Sequence, residues 1–220
     1  MPAHDLSNLA LLTPVQAEGP PRAFYDACHR VLDLTIAIPL SVLLSPLLFL
    51  VGILIRLDSP GPALFLQERL GRYGRRFIIW KFRTMTAGVP TAGHHLFLQK
   101  NDSRITRLGK LLRSLSLDEM PQLVNVVRGQ MSLVGPRPPV PWFPHELENY
   151  PEEAKTRFLV RPGITGYSQA IARREATWDE RCRHDAWYVR NRSLRLYVWI
   201  LWRTVFRVLS REGVDHPTEG

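Results

Sequence analysis

Cysteine is scarce in this chain of 220 residues, and its scarcity excludes two classes of protein. The two cysteines, Cys28 and Cys182, lie far apart and form no CxxC spacing. A disulfide framework or a zinc ribbon needs more thiols at closer spacing, so neither is expected, and a reducing compartment is the default expectation. Repeats of roughly 20 to 50 residues are also missing, which excludes a solenoid.

Acidic residues are fewer than basic ones. The chain has 20 Asp and Glu and 29 Lys and Arg, which gives a net charge of +9. This excess predicts an anionic partner, which is a nucleic acid, an acidic lipid surface or a phosphate-bearing substrate. Apolar residues make up only 45% and mean hydropathy is -0.12, which excludes a transporter with several membrane spans. Aromatic residues reach 10%, which excludes a disordered chain.

Long apolar runs are missing except for one, which extends from Leu34 to Ile55 without a charged residue. As a helix it would measure roughly 33 Å, enough to cross a hydrocarbon core of ~30 Å. It begins too late and is too long to be the apolar part of a cleaved signal peptide. We therefore expect this segment to remain in the protein and to lie in lipid.

Pro39 and Pro46 interrupt this apolar run and predict a kink or a break in the helix, because each lacks a backbone N–H donor. The Ser45-Pro46 pair is the candidate hinge, since the serine hydroxyl can bond a carbonyl that the proline leaves free. Arginines also lie on both sides of the run, which does not fit a simple crossing. Residues 22–57 are therefore predicted to form a re-entrant membrane hairpin, and a kinked single span is the alternative.

The remaining chain is predicted to be mainly α with a small β-hairpin, an α+β fold. Two short apolar stretches, 63–66 and 77–82, flank a turn at Gly71 and Gly74 and predict the hairpin. Residues 105–115 and 121–127 are predicted helices, and 87–100 a surface insertion. The predicted domains are a loose tail at 1–21, the membrane hairpin at 22–57, a catalytic domain at 58–213 and a tail at 214–220.

The C-terminal part of this domain alternates aromatic residues with arginines from Trp187 to Arg211. Aromatic rings with a polar edge suit the headgroup layer of a membrane, and so do arginines with long apolar stems. We therefore expect an amphipathic helix that lies in the membrane interface. An ordinary helix packed on the domain core is the alternative.

The adjacent acids Asp118 and Glu119 are the candidate chemical centre. They precede Pro121, and a residue before proline avoids the helical region, so Met120 is expected to be extended. The acids would then lie at a helix N-terminus, where carboxylates and phosphates are stabilised and where oxygen ligands can hold Mg²⁺. A plain helix cap is the alternative reading of this pair.

Arginines around the acids favour chemistry over capping. Arg113 lies five residues upstream, and two rigid loops each carry one arginine, at 135–138 with Arg137 and at 161–166 with Arg161. Arginine binds phosphate with two parallel hydrogen bonds, and carboxylates with a metal among arginines suit phosphoryl transfer. The pattern therefore predicts a site for phosphate-bearing substrates.

These residues carry a resemblance to the small monotopic phosphoglycosyl transferases, also called bacterial sugar transferases, over roughly residues 24–213. The matching stretches, in chain order, are Ser45-Pro46, Gln67 with Arg69 and Gly71, 81–85, 113–119, 121–126, 131–138 and 161–166. The chain departs from the family pattern at Met120, Gln130 and Tyr197.

The resemblance implies transfer of a phosphosugar from a UDP-sugar to a polyprenyl phosphate such as undecaprenyl phosphate, with release of UMP. It further implies a cytoplasmic active site at the bacterial inner membrane and no nucleic-acid partner. On this sequence it implies that Asp118 is the nucleophile that forms an aspartyl phosphosugar and that Asp118 and Glu119 bind Mg²⁺. The residues it assigns to substrate binding are Lys81, Arg83, Arg113, Arg137, Arg161, Pro162 and Gly163.

A second function remains open, which is a membrane-anchored basic adaptor that binds acidic lipid without chemistry. It accounts for the positive charge and the C-terminal aromatic and arginine pattern, but it gives the acid pair only a capping role. A CDP-alcohol type phosphotransferase is disfavoured, because the repeated aspartate motif of such enzymes is absent from the apolar segment.

Overall fold

The computed structural model describes residues 22–86, 102–142, 147–171 and 177–210. The predicted tails at 1–21 and 214–220 and the whole predicted insertion at 87–100 lie outside the described residues. The described part is mostly helical with one small antiparallel hairpin, as the sequence predicts. In order, its helices and strands are α1 (Arg22–Asp58), β1 (Leu64–Leu70), β2 (Arg76–Phe82), α2 (Arg107–Ser114), α3 (Leu123–Val127), β3 (Ser132–Val134), α4 (Glu152–Lys155), β4 (Gly163–Thr165), α5 (Tyr167–Ile171), α6 (Trp178–Asn191) and α7 (Leu194–Leu209).

Helix α1 has 37 residues and is apolar enough and long enough to cross a membrane. It is continuous through Pro39 and Pro46, so the expected hinge does not appear as a break in the helix. The Ser45 hydroxyl donates to the Val42 carbonyl at 2.8 Å, and this is the carbonyl that Pro46 deprives of its usual donor. A serine therefore compensates the proline locally, and the membrane hairpin stays a prediction.

The outer surface of α1 is a broad apolar face. Val42, Leu43, Phe49 and Leu57 each expose about 70% or more of their surface. The opposite side packs on the domain through residues such as Ala37, Val51 and Ile55, all of which are buried. An exposed apolar face of this size indicates an apolar partner.

The hairpin pairs β1 with β2 in a register that sets Leu64 opposite Phe82 and Leu70 opposite Arg76. Its strands are longer than the predicted apolar stretches, because β1 continues through the polar residues 67–69 and β2 begins at Arg76. The connecting 3₁₀ turn, Arg72–Gly74, includes Tyr73 and Gly74 with positive φ, which glycine adopts without strain.

Strands β3 and β4 form a parallel pair that brings two loops into contact. A side chain at Gly163 would place its Cβ 2.1 Å from the Gly135 nitrogen, so the two backbones meet too closely for any residue but glycine. The Gly163 amide donates to the Pro136 carbonyl at 3.0 Å. The two predicted arginine loops therefore begin from one rigid junction.

Helix α7 has one face in the core and one in solvent. Tyr197 and Ile200 are fully buried, whereas Trp202, Val205 and Leu209 are more than half exposed. Both readings of this segment thus have a structural counterpart, because the helix packs on the domain and also presents an apolar outer face. Its contact with a membrane stays a prediction.

Candidate active site

The acid pair lies inside a short 3₁₀ helix, Leu117–Gln122, that follows Ser116 in the left-handed region. The expectation of an extended Met120 is wrong, since this residue belongs to the same helix. The Leu123 amide donates to its carbonyl, and Pro121 and Gln122 are buried. Packing therefore overrides the local preference of a residue that precedes proline. The acids sit in the first turn of this helix and not ahead of it.

Glu119 is held by two basic residues from different parts of the chain. Lys81 on β2 and Arg137 in the loop after β3 each donate to its Oε1 at 2.8 Å. Burial disfavours the Glu119 carboxylate, but Arg137 and Lys81 outweigh burial and hold its pKa below the ordinary range of a glutamate. Glu119 is therefore ionised and fixed in place.

Asp118 has a different environment. Its carboxylate accepts no hydrogen bond from the described residues, and it is only partly exposed. Burial and the charge of Glu119 raise the pKa of Asp118 to about 6, although Lys81, Arg113 and Arg137 oppose the shift. Two adjacent carboxyl groups with pKa values moved in opposite directions are typical of a catalytic pair.

Arg113 lies in the last turn of α2, close to the acid pair, and its Nε donates to the Thr84 hydroxyl at 2.8 Å. Helix α2 is capped by the Thr106 side chain, which accepts from the Gly109 amide. A Cβ at Gly109 would lie 2.2 Å from the Thr84 carbonyl oxygen. Glycine thus allows α2 to rest directly on the segment after β2, which positions Arg113.

Arg69 joins the site although the sequence analysis assigns it no role. Its guanidinium donates to the Pro138 carbonyl at 3.0 Å, and the next amide, that of Leu70, donates to Pro139 at 3.0 Å. Burial and the neighbouring Arg137 lower the pKa of Arg69 to about 10. The hairpin therefore holds the loop that carries Arg137. The sequence held one signal for this role of Arg69, which is its position between Gln67 and Gly71 in a stretch that matches the family.

Arg83 does not join the acid pair. Its buried guanidinium donates to the carbonyls of Ile55, Ser59 and Pro60 where α1 ends. Carbonyls at a helix C-terminus lack amide partners and attract cations, which explains this position. The structure thus gives Arg83 a contact at the end of a helix, and its expected part in substrate binding stays a prediction.

Arg161 also points elsewhere. Its Nε donates to the Gly129 carbonyl at 3.0 Å, and the charged groups around it are Arg72, Arg30, Asp33 and Asp26. The neighbouring Pro162 and Gly163 act through their backbones, with the Ser132 amide donating to the Pro162 carbonyl at 2.8 Å. Of the predicted basic residues, Lys81, Arg113 and Arg137 therefore surround the acids. Arg83 and Arg161 do not.

The acid pair suits a hard divalent cation. Asp118 has free oxygens, and Oε2 of Glu119 has no hydrogen-bond donor among the described residues. No group of three or more metal-ligating side chains occurs in the part of the chain that the structure describes. Mg²⁺ commonly binds through one or two carboxylates together with substrate phosphates and water, so two acids fit this metal.

The fold and the site together define the class of this chain as a small α+β domain with one long apolar helix and an acid pair framed by basic residues. The sequence profile described as Bacterial sugar transferase matches residues 24–211. The chain belongs to this family.

Relatives of known name agree with this assignment. The chain is 39% identical over 196 residues to the UDP-N-acetylgalactosamine-undecaprenyl-phosphate N-acetylgalactosaminephosphotransferase of Aeromonas hydrophila, which covers 88% of this chain and 46% of that protein. It is 40% identical over 218 residues to the UDP-glucose:undecaprenyl-phosphate glucose-1-phosphate transferase of Caulobacter vibrioides, covering 95% and 80%. The uncharacterized sugar transferase EpsL of Bacillus subtilis is 40% identical over 186 residues, covering 84% and 89%.

The relatives differ in length. The chain spans about half the length of the Aeromonas hydrophila protein but most of the other two. The similarity to each of the three relatives extends over 84% or more of this chain.

Proposed function

We propose that the chain transfers a sugar 1-phosphate from a UDP-sugar to a polyprenyl phosphate such as undecaprenyl phosphate. Two relatives are named for both substrates, a UDP-sugar and undecaprenyl phosphate. The family match also covers most of the chain. The observation that carries the proposal is the opposite environment of the two acids. Glu119 is ionised and clamped by Lys81 and Arg137, whereas Asp118 has no hydrogen-bond donor among the described residues.

In the proposed reaction an oxygen of Asp118 attacks the phosphorus that bears the sugar. The bond from this phosphorus to the bridging oxygen breaks, and UMP leaves with the electron pair. An oxygen of the polyprenyl phosphate then attacks the aspartyl phosphosugar, and the Asp118 carboxylate leaves. Both displacements occur at the same phosphorus, and the covalent intermediate divides one difficult transfer into two steps.

The basic residues have separable parts in this scheme. Arg113 and Arg137 face the acids and would bind the diphosphate oxygens, while Lys81 fixes Glu119. Mg²⁺ bound by Asp118 and Glu119 would neutralise charge on the diphosphate as the negative nucleophile approaches. Residue Arg69 keeps the Arg137 loop in place through Pro138.

Membrane association forms part of the proposal. The apolar faces of α1 and α7 would lie in lipid. The protein would then be monotopic, with a re-entrant hairpin hinged at Ser45-Pro46 and an active site at the cytoplasmic face. Cysteines introduced at residues near the start of α1 and after α7 should then react with an impermeant thiol reagent on the same side of the membrane. Labelling from opposite sides would replace the hairpin with a true span.

The activity is tested with the purified full chain, Mg²⁺, undecaprenyl phosphate and a panel of UDP-sugars, with UMP release as the readout. The wild type should release UMP with at least one donor and form a polyprenyl diphosphosugar. The D118N variant should lose activity and any sugar-phosphate label on the protein. A variant that keeps full activity across all donors would rule out Asp118 as the nucleophile, and a wild type inactive with every donor would favour the basic adaptor.

A further inference from the structure

A second basic site lies at the polar end of α1 and shares no residue with the acid-pair site. Its recess is lined by Arg72 from the hairpin turn, Arg161 from the loop before β4, and Arg192 from the end of α6. Asp26 and His29 on α1 complete its charged and polar lining. Three elements distant in sequence thus aim arginines at one place on α1.

The recess has an excess of positive charge. Asp26 is its single lining carboxylate, and it is divided between two arginines, with Arg192 at 3.0 Å and Arg72 at 3.3 Å. Arg30 lies next to this group and donates to the carbonyls of Val126 and Val127. The buried Asp33 is the other nearby acid, so four arginines face two carboxylates.

Two groups of the recess have nitrogens without a hydrogen-bond partner among the described residues. Only Nε of Arg161 is bonded, to the Gly129 carbonyl, and its two terminal nitrogens have no hydrogen-bond partner among the described residues. The Nε2 atom of His29 is buried and likewise has no partner there. Burial and the charges of Arg72 and Arg30 lower the pKa of Arg161, as expected for a guanidinium that lacks its own counter-ion.

The position of the recess along α1 indicates which anion it meets. His29 precedes Leu34, where the apolar run begins, by five residues of helix, which is roughly 8 Å. The headgroup layer on each side of a hydrocarbon core is about 5 to 8 Å thick. If α1 lies in lipid from Leu34 onward, the recess is at the level of the phosphates.

We propose that this recess, formed by Arg72, Arg161, Arg192 and His29, binds the phosphate group of a lipid. The free terminal nitrogens of Arg161 would donate to two phosphate oxygens, and Arg192 and Arg72 supply further charge at the rim. The proposal rests on the membrane association proposed for α1. The ligand is a phosphate ester, whether from an anionic phospholipid or from a polyprenyl phosphate.

The test uses the full chain in detergent micelles and native mass spectrometry, which counts bound lipid molecules. Phosphatidylglycerol, geranylgeranyl phosphate, inorganic phosphate and phosphatidylcholine are offered separately. The variants are R161Q and R192Q, with R161K as the conservative replacement. R183Q is the matched control, because it removes the same charge from an exposed position of α6.

The wild type should bind phosphatidylglycerol or geranylgeranyl phosphate more tightly than phosphatidylcholine. R161Q and R192Q should bind it about fivefold more weakly, and R183Q should match the wild type. R161K should recover only part of the affinity, because lysine restores the charge but not the two parallel hydrogen bonds. The lipid that shows this pattern identifies the source of the phosphate. Equal binding by all variants, or an equal loss in R183Q, would overturn the site, as would binding of inorganic phosphate alone.

The outcome is independent of the transferase assay. UMP release is measured on the same wild-type preparation, and thermal unfolding is measured for every variant to confirm that it is folded. Lipid binding that depends on Arg161 in a chain that releases no UMP leaves the site standing and removes the proposed function. If the wild type releases UMP but R161Q binds lipid as well as the wild type does, the proposed function stands and the lipid site is removed.

Discussion

Asp33 on α1 accepts a hydrogen bond at 3.0 Å from the Tyr197 hydroxyl on α7, across 164 positions of the chain. The same oxygen, Oδ1, accepts from the Ser132 hydroxyl at 2.9 Å and from the Leu133 amide at 2.8 Å. One fully buried carboxylate therefore ties the long helix to β3 and α7. Such a group is stable inside a protein only because these donors replace water.

The first prediction concerns this buried junction. Y197F removes one donor to a charged acceptor and should lower the free energy of unfolding by about 1.5 to 3 kcal/mol. D33A leaves the donors of Ser132, Leu133 and Tyr197 unpaired and should cost more than Y197F. Thermal or chemical unfolding in detergent measures both. Equal stability of D33A and wild type would show that the junction contributes nothing.

The second prediction concerns the clamp on Glu119. K81M leaves Glu119 with Arg137 alone and should lower kcat by about 100-fold, the scale observed when one fixed electrostatic contact is removed from an active site. The matched control K110M changes an exposed lysine of α2 and should keep wild-type activity. UMP release measures both. Similar kcat values for K81M and K110M would remove Lys81 from the site.

The third prediction concerns the seat of α2. A methyl group at Gly109 would lie 2.2 Å from the Thr84 carbonyl oxygen, so G109A should displace α2 and Arg113 and lower both stability and activity. At Gly52 the nearest atom to an added methyl group is 3.9 Å away, so G52A should change stability by no more than about 1 kcal/mol. Unfolding temperatures and UMP release compare the pair, and equal effects would contradict the tight contact.

The fourth prediction concerns the pH dependence of thiol chemistry. Burial raises the pKa of Cys182 to about 11, and its sulfur lies 3.7 Å from a nitrogen of Arg157. At pH 8 only about 0.1% of this thiol is ionised, against about a quarter for an ordinary cysteine. In a C28S background, alkylation should therefore be slow at pH 8 and accelerate about tenfold per pH unit up to pH 10. The denatured chain is the control, and rapid alkylation of the folded chain at pH 8 would contradict the burial.

The hairpin, the acid pair and the Arg137 loop were predictable because their signals are local. Apolar stretches around a glycine turn specify β1 and β2, and Pro136 and Pro138 hold the loop rigid. The contacts of Arg83 and Arg161 were not predictable from the sequence, because an arginine side chain reaches far, and the end of α1 and the Gly129 carbonyl come close to these arginines only in the folded chain. The bond between Asp33 and Tyr197 has no local signal, since its partners meet only when α1 and α7 pack together.

The contact between Gly135 and Gly163 has a consequence for engineering. Since neither position has room for a Cβ, the two loops constitute a single interlocked unit although 27 residues separate the glycines in sequence. A chimaera that takes only one of these loops from a relative would bring together two loops that did not evolve to pack on each other. Loop exchange between relatives should therefore keep the fold only when both loops are transplanted together.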